Sequence, residues 1–132
     1  MGNTFGPVVF SYTRAQAIED GVLVDVSEMA KEAGIKWPVA VTARVWGLIE
    51  PTEAEQSFGQ SIEGRLWDTL WMLRFAIGKS NADREIFYKV IYAAEMKTNK
   101  SRLKEVTETL KAVSGPGDNG EPVITIMLPW ED

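Results

Sequence analysis

The chain has 132 residues, of which 45% are hydrophobic and 25% charged; these fractions are typical of a globular domain and not of a disordered segment. It contains no histidine and no cysteine, which excludes zinc fingers, thiol chemistry and catalysis by a histidine base. The net charge of −5 argues against a protein that follows nucleic-acid phosphates with a basic face.

The sequence has no run of about 18 apolar residues, and its start has neither the basic segment nor the apolar segment of a signal peptide. We therefore expect a single domain over residues 1–132 that lies in the cytoplasm and does not associate with a membrane.

The first third of the sequence predicts two short helices joined by an extended segment. Thr13 and Gln16 have the spacing of a capping box for a helix over residues 10–21. Residues 22–26 are rich in β-branched side chains and predict a strand or an extended bridge. Ser27 is expected to cap the second helix.

Helical patterns dominate the middle of the chain. The proline after Trp37 keeps that tryptophan out of a helix, whereas Thr42 is a suitable N-cap for a helix over residues 43–50. Residues 53–60 fit either a loop or a frayed helix. The longest helix is predicted over residues 62–77.

This long helix has two apolar faces. At about 100° per residue, one face collects the aliphatic side chains of Ile62, Leu66, Leu70, Leu73 and Ile77. Trp67, Trp71 and Phe75 fall on nearly the opposite face. Two arrangements remain open: either the aromatic face is covered by the smaller helices, or it is partly open and receives a partner or ligand.

The last third of the sequence predicts strands. Residues 86–92 are aromatic and β-branched, residues 104–113 alternate, and residues 123–128 are apolar, while residues 115–120 form a dense turn signal. The predicted fold is therefore α+β, with short N-terminal helices and one long central helix packed on a C-terminal three-stranded antiparallel sheet.

Acidic residues near the first predicted strand offer one candidate site. They are Glu19, Asp20, Asp25 and Glu28. Three of them, Asp20, Asp25 and Glu28, are the predicted ligands of Mg²⁺ in a hydrolase or nucleotide-binding enzyme, with solvated helix ends as the alternative.

Other charged residues are interpreted more simply. Arg65, Asp68 and Arg74 lie at the boundary between the two faces of the long helix, and Asp68 is in reach of Arg65. The basic residues Lys97, Lys100, Arg102 and Lys104 indicate a hairpin tip or loop. Nucleic-acid binding there is the alternative, although no aromatic side chain is interleaved with these cations.

Three segments resemble a known family. They are residues 10–26 (FSYTRAQAIEDGVLVDV), residues 64–72 (GRLWDTLWM) and residues 115–129 (GPGDNGEPVITIMLP). In this order they are similar to an uncharacterised family of small bacterial proteins that are encoded by plasmids, integrative elements and prophages. The resemblance implies an accessory or counter-defence role, such as inhibition of a host immune complex, and it assigns no functional residues.

The leading hypothesis is therefore a non-enzymatic protein that binds a protein partner or a second copy of itself and needs no cofactor. The residues expected to make the contact are Trp67, Trp71, Phe75 and Trp130. Trp130 is included because an aromatic residue so near the end of the chain either folds back on the core or belongs to a contact surface. The magnesium enzyme is the rival hypothesis.

Overall fold

The computed structural model describes residues 12–80, 84–99 and 102–132. The prediction that the chain has no signal peptide concerns its first residues, which lie outside these ranges. The helices are α1 (Arg14–Glu19), α2 (Ser27–Glu32), α3 (Ala43–Ile49), α4 (Glu53–Ser57) and α5 (Ile62–Lys79). The strands are β1 (Leu23–Asp25), β2 (Val39–Thr42), β3 (Glu85–Glu95), β4 (Leu103–Pro116) and β5 (Pro122–Met127). Within these described ranges, no helix has the length and apolar character needed to cross a membrane.

The strands form one mixed sheet in the order β1-β2-β5-β4-β3. β2 and β5 are parallel, with Val39 opposite Ile124, and the other neighbours are antiparallel. The α+β class is therefore correct, but the predicted three-stranded antiparallel sheet is wrong. Strand β2 is completely buried at Val39, Ala40 and Val41. It therefore lacks the alternation of apolar and polar residues by which a half-exposed strand is predicted from sequence. Its parallel pairing also depends on a segment that is remote in the sequence.

Helix starts follow the capping residues, with one exception. Thr13 forms the predicted capping box of α1, although the helix predicted over residues 10–21 begins partly outside the described residues. Thr42 caps α3 as predicted. Ser27 does not cap α2, because it is the first residue of that helix. Its hydroxyl donates to Asp25 at 2.6 Å and accepts from the Val39 amide at 3.0 Å, which ties α2 to β2.

The main core lies between the sheet and the helices α2, α3 and α5. Its completely buried side chains include Ile49, Leu70, Leu73, Leu110 and Ile126. The other face of the sheet contacts α1, whose Arg14 donates to the Thr125 hydroxyl at 2.7 Å. The helix α5 continues to Lys79, two residues beyond its predicted end, because the glycine at position 78 is accommodated inside its last turn.

Candidate functional site

The outer face of α5 carries the three rings of Trp67, Trp71 and Phe75, here called the aromatic stripe. Their exposed fractions are 37%, 41% and 51%. The Trp67 and Trp71 rings are stacked with their centroids 5.6 Å apart, and Phe75 meets Trp71 edge to face at 5.5 Å. The rings therefore pack on one another along the helix surface, and the arrangement in which smaller helices cover them does not form.

The stripe is exposed because the opposite face of α5 is the one that enters the core. Leu66, Leu70 and Leu73 are buried there, at positions that lie on nearly the opposite side of a helix with 3.6 residues per turn. The helix is fixed at its start by the Ser61 hydroxyl, which accepts from the Gly64 amide at 3.0 Å. The core thus holds the aromatic stripe on a rigid element.

The apolar surface extends from the stripe toward the end strand of the sheet. Met72 is 39% exposed, and with Phe75 it lines a shallow groove between α5 and β3. Phe87, which is 56% exposed, lies at the β3 edge of this groove, but its side chain is on the sheet face turned away from α5. Partial burial raises the pKa of the Asp68 carboxyl, which follows Trp67 in α5.

A buried ion pair lies behind the stripe. Arg65 contacts Glu55 at 2.9 Å, and their side chains are only 6% and 7% exposed. The Arg65 guanidinium also donates to the carbonyls of Leu48 at 2.9 Å and Ala93 at 2.6 Å. It therefore ties α5 to α3, α4 and β3, so Arg65 is a core residue and not the boundary residue that was predicted. Asp68 belongs to neither ion pair of the described residues.

The contacts of this ion pair also determine the protonation state of Glu55. Burial alone raises the pKa of Glu55, but hydrogen bonds from the Thr52 and Glu95 amides and the charge of Arg65 outweigh it, and the pKa is lowered. Glu55 is therefore held as a carboxylate.

Two buried tyrosines continue this network. Tyr92 shares a hydrogen bond with the Thr69 hydroxyl, which also donates to the Arg65 carbonyl at 2.8 Å. The Tyr88 hydroxyl donates to the Thr69 carbonyl at 3.1 Å. Burial raises the pKa of Tyr92 to about 12, so its hydroxyl is neutral and donates. These contacts position α5 on β3.

Arg74, near the other end of α5, has a different environment. Its side chain is exposed, and within the described residues no hydrogen bond or ion pair involves its guanidinium. It lines a cavity together with Lys36 and Arg84. Sequence reasoning missed this group because the residues come from separate elements and share no spacing.

The structure does not bring the predicted magnesium ligands together. Asp20 accepts the Tyr12 hydroxyl at 2.7 Å, and Asp25 accepts the Ser27 hydroxyl at 2.6 Å. Glu28 lies in the first turn of α2. The described part of the chain contains no group of three or more acidic side chains that is arranged to hold a metal ion.

The predicted hairpin turn connects β4 and β5 over residues 117–121, because β4 continues through Pro116. Its Asp118 carboxylate accepts the backbone amides of Arg14 at 2.8 Å and Ala15 at 3.0 Å. The turn therefore caps the first turn of α1. This contact is favourable because it gives a hydrogen-bond acceptor to two backbone amides that the helix itself leaves unpaired. No local sequence signal pairs Asp118 with Arg14, which is why this role was missed.

The basic residues lie at the β3–β4 hairpin. Lys97 and Arg102 belong to the connection, which is closed by a hydrogen bond from the Met96 amide to the Arg102 carbonyl at 3.2 Å. Lys104 is in β4, and Lys100 lies outside the described residues. The prediction of a hairpin tip is thus consistent with the positions of Lys97 and Arg102.

Trp130 is 66% exposed and lies under the Arg44 guanidinium, 4.9 Å from its ring centroid. The neighbouring Glu131 carboxylate accepts the Thr42 hydroxyl and the Leu128 amide, both at 2.8 Å. The end of the chain is therefore fixed to the fold while the Trp130 ring stays accessible. None of the ring contacts among the described residues joins Trp130 to the aromatic stripe.

Comparison with known proteins finds a match to a family model. A family model described as a family of unknown function (DUF6573) covers residues 1–132. No curated protein and no solved structure matches the chain. The match supplies no activity and no functional residues, so the geometry described above is the basis for assigning a role.

Proposed function

Since the chain belongs to the DUF6573 family of unknown function, we propose its role from its geometry: it is a non-enzymatic module that binds a protein partner through the aromatic stripe. The observation that carries this proposal is the exposure of Trp67, Trp71 and Phe75, at 37%, 41% and 51%, on the outer face of a helix. Exposed apolar patches mark interaction sites, and large aromatic side chains contribute most to binding at such sites.

The partner we propose is a protein that presents an apolar face to α5. The stripe supplies rings that are already packed on one another, so little side-chain entropy is lost when they are covered. Met72 extends the apolar area toward the groove beside β3. Trp130, with Arg44 above it, is proposed as a separate contact at the end of the chain.

The biological setting that we propose follows from the sequence resemblance alone. In that setting the protein is encoded by a mobile element, acts in the cytoplasm, and binds a host protein such as a subunit of an immune complex. This setting predicts the identity of the partner and does not affect the location of the binding surface.

The test compares a stripe variant with a matched surface variant. Trp71→Ala removes the central ring of the stripe, and Ile91→Ala removes a side chain that is 53% exposed on the sheet face turned away from α5. Both variants are first shown to be folded by circular dichroism and urea unfolding. The wild type and both variants are then used to capture proteins from bacterial lysate, and their own molar masses are measured by light scattering.

We expect a stoichiometric partner that Ile91→Ala retains and Trp71→Ala loses. A homodimer that only Trp71→Ala dissociates would instead identify a second copy as the partner. If the wild type is a monomer and captures nothing, or if both variants retain the partner equally, the stripe is not the binding surface and the proposal is wrong.

A further inference from the structure

A cavity of about 470 Å³ opens beside the C-terminal end of α5. Its walls come from α5, from the connection between α2 and β2, and from β3, β4 and β5. Small-molecule sites usually have volumes of about 300–1,000 Å³, so this cavity is large enough for one ligand.

The inner wall of the cavity is apolar and belongs to the core. It consists of the side chains of Ile35, Leu73, Ile77, Ile86, Ala112 and Ile124. Leu73 is completely buried and Ile35 is 4% exposed, so the core holds these side chains in place. The wall therefore offers a preformed surface to an aliphatic or aromatic group.

Exposed cations line part of this apolar cavity, here called its mouth. Lys36, Arg74 and Arg84 line it, and none of its described lining residues is acidic. Within the described ranges, the side chains of these three residues have no hydrogen bond or ion pair. Three unpaired cations around one cavity are notable in a chain whose net charge is −5, and their charge is complementary to an anion.

Arg74 is placed at this mouth by the backbone opposite it. Gly34 has φ +95°, and a Cβ built on it would lie 3.1 Å from the Arg74 Nε. The absence of a side chain at position 34 thus lets the guanidinium approach the α2–β2 connection. Trp37 follows in the same connection, is 46% exposed, and adds a flat apolar surface to the rim.

We propose that this cavity binds an amphiphilic anion, with its apolar body against the inner wall and its carboxylate or phosphate head on Arg74, Lys36 and Arg84. A guanidinium suits both head groups, because its donors match the geometry of two acceptor oxygens. A neutral ligand would fill the apolar wall but leave the cations unpaired. The site is separate from the aromatic stripe and does not depend on the proposed protein partner.

The test uses the full chain with three probes of ten carbons each, every one kept below its micelle concentration. Decanoate and decyl phosphate carry the two head groups, and decanol is the neutral control. Binding is followed by ¹⁵N NMR shifts of the cavity residues. Arg74→Met and Lys36→Met remove cations from the cavity, whereas Lys104→Met removes an exposed cation that does not line it.

We expect saturable binding of at least one anion, with shifts at Ile35 and Ile86, and an affinity that falls about tenfold or more in Arg74→Met. Lys104→Met should bind like the wild type. The stronger of the two anions identifies the head group for which the mouth is suited.

Three results would each overturn the proposal. They are equal affinity for decanol and both anions, unchanged affinity in both Arg74→Met and Lys36→Met, and shifts confined to the aromatic stripe. Failure of the anion site leaves the protein-binding test unaffected, because that test depends on Trp71 and not on Arg74.

Discussion

Arg65 and Arg74 lie on the same helix in opposite environments. Arg65 is buried against Glu55, and its guanidinium donors are used by carbonyls and by the carboxylate. Arg74 is exposed beside an apolar cavity, and no side-chain partner of its guanidinium occurs in the described part of the chain. One end of α5 thus uses an arginine to hold the fold, while the other end presents one to solvent.

The comparison shows that residue type alone does not separate structure from function. A buried guanidinium is tolerated only when its donors and its charge are satisfied, and Arg65 meets this requirement. An exposed guanidinium beside an apolar cavity has no such requirement and stays available to a ligand. The contacts of each arginine therefore decide whether it stabilises the fold or is available to a ligand. Three experiments test this difference between Arg65 and Arg74 and the network around Arg65.

The largest effect is expected for Arg65→Met. This change leaves the Glu55 carboxylate buried without its cation, which should lower the free energy of unfolding by about 3–5 kcal/mol. Arg74→Met is the matched control and should change stability by no more than about 0.5 kcal/mol. Urea unfolding of both variants measures the difference. Equal losses would show that the two ends of α5 do not differ as described.

A smaller loss is expected for Thr69→Val. The valine keeps the shape of the side chain but leaves the buried Tyr92 hydroxyl without its partner. We expect a loss of about 1–3 kcal/mol in the free energy of unfolding. Thr107→Val, at an exposed position of β4, is the control and should be nearly neutral. A neutral Thr69→Val would mean that the network behind α5 contributes no stability.

The smallest effect on the free energy of unfolding is expected from lowering the pH. Protonation of Glu55 removes its charge but leaves its side chain in place. The pKa of Glu55 in the folded protein is below its ordinary value of 4.5. Its contribution to stability is therefore complete above about pH 4.5 and is lost as the pH falls through the lower, folded-state pKa. As the pH is lowered, the free energy of unfolding of the wild type should fall more steeply than that of Glu55→Gln. Parallel acid limbs would contradict this assignment.

Much of the local structure could be predicted from the sequence. The caps at Thr13 and Thr42, the long helix and the strands of the C-terminal third all follow from hydrogen bonds and periodicities within a few residues. The aromatic stripe was also visible as a spacing of four residues. These features are predictable because the groups that stabilise them are neighbours in the chain.

The sequence by itself determined the helix starts at Thr13 and Thr42, the two faces of α5 and the hairpin turn before β5. Only the tertiary structure decided that β2 pairs in parallel with β5, that Arg65 is buried while Arg74 is exposed, and that Asp118 caps α1. It also decided which face of α5 is covered and which cations meet around the cavity. These outcomes depend on contacts between remote segments, whose positions are fixed by burial of the shared core and leave no local pattern.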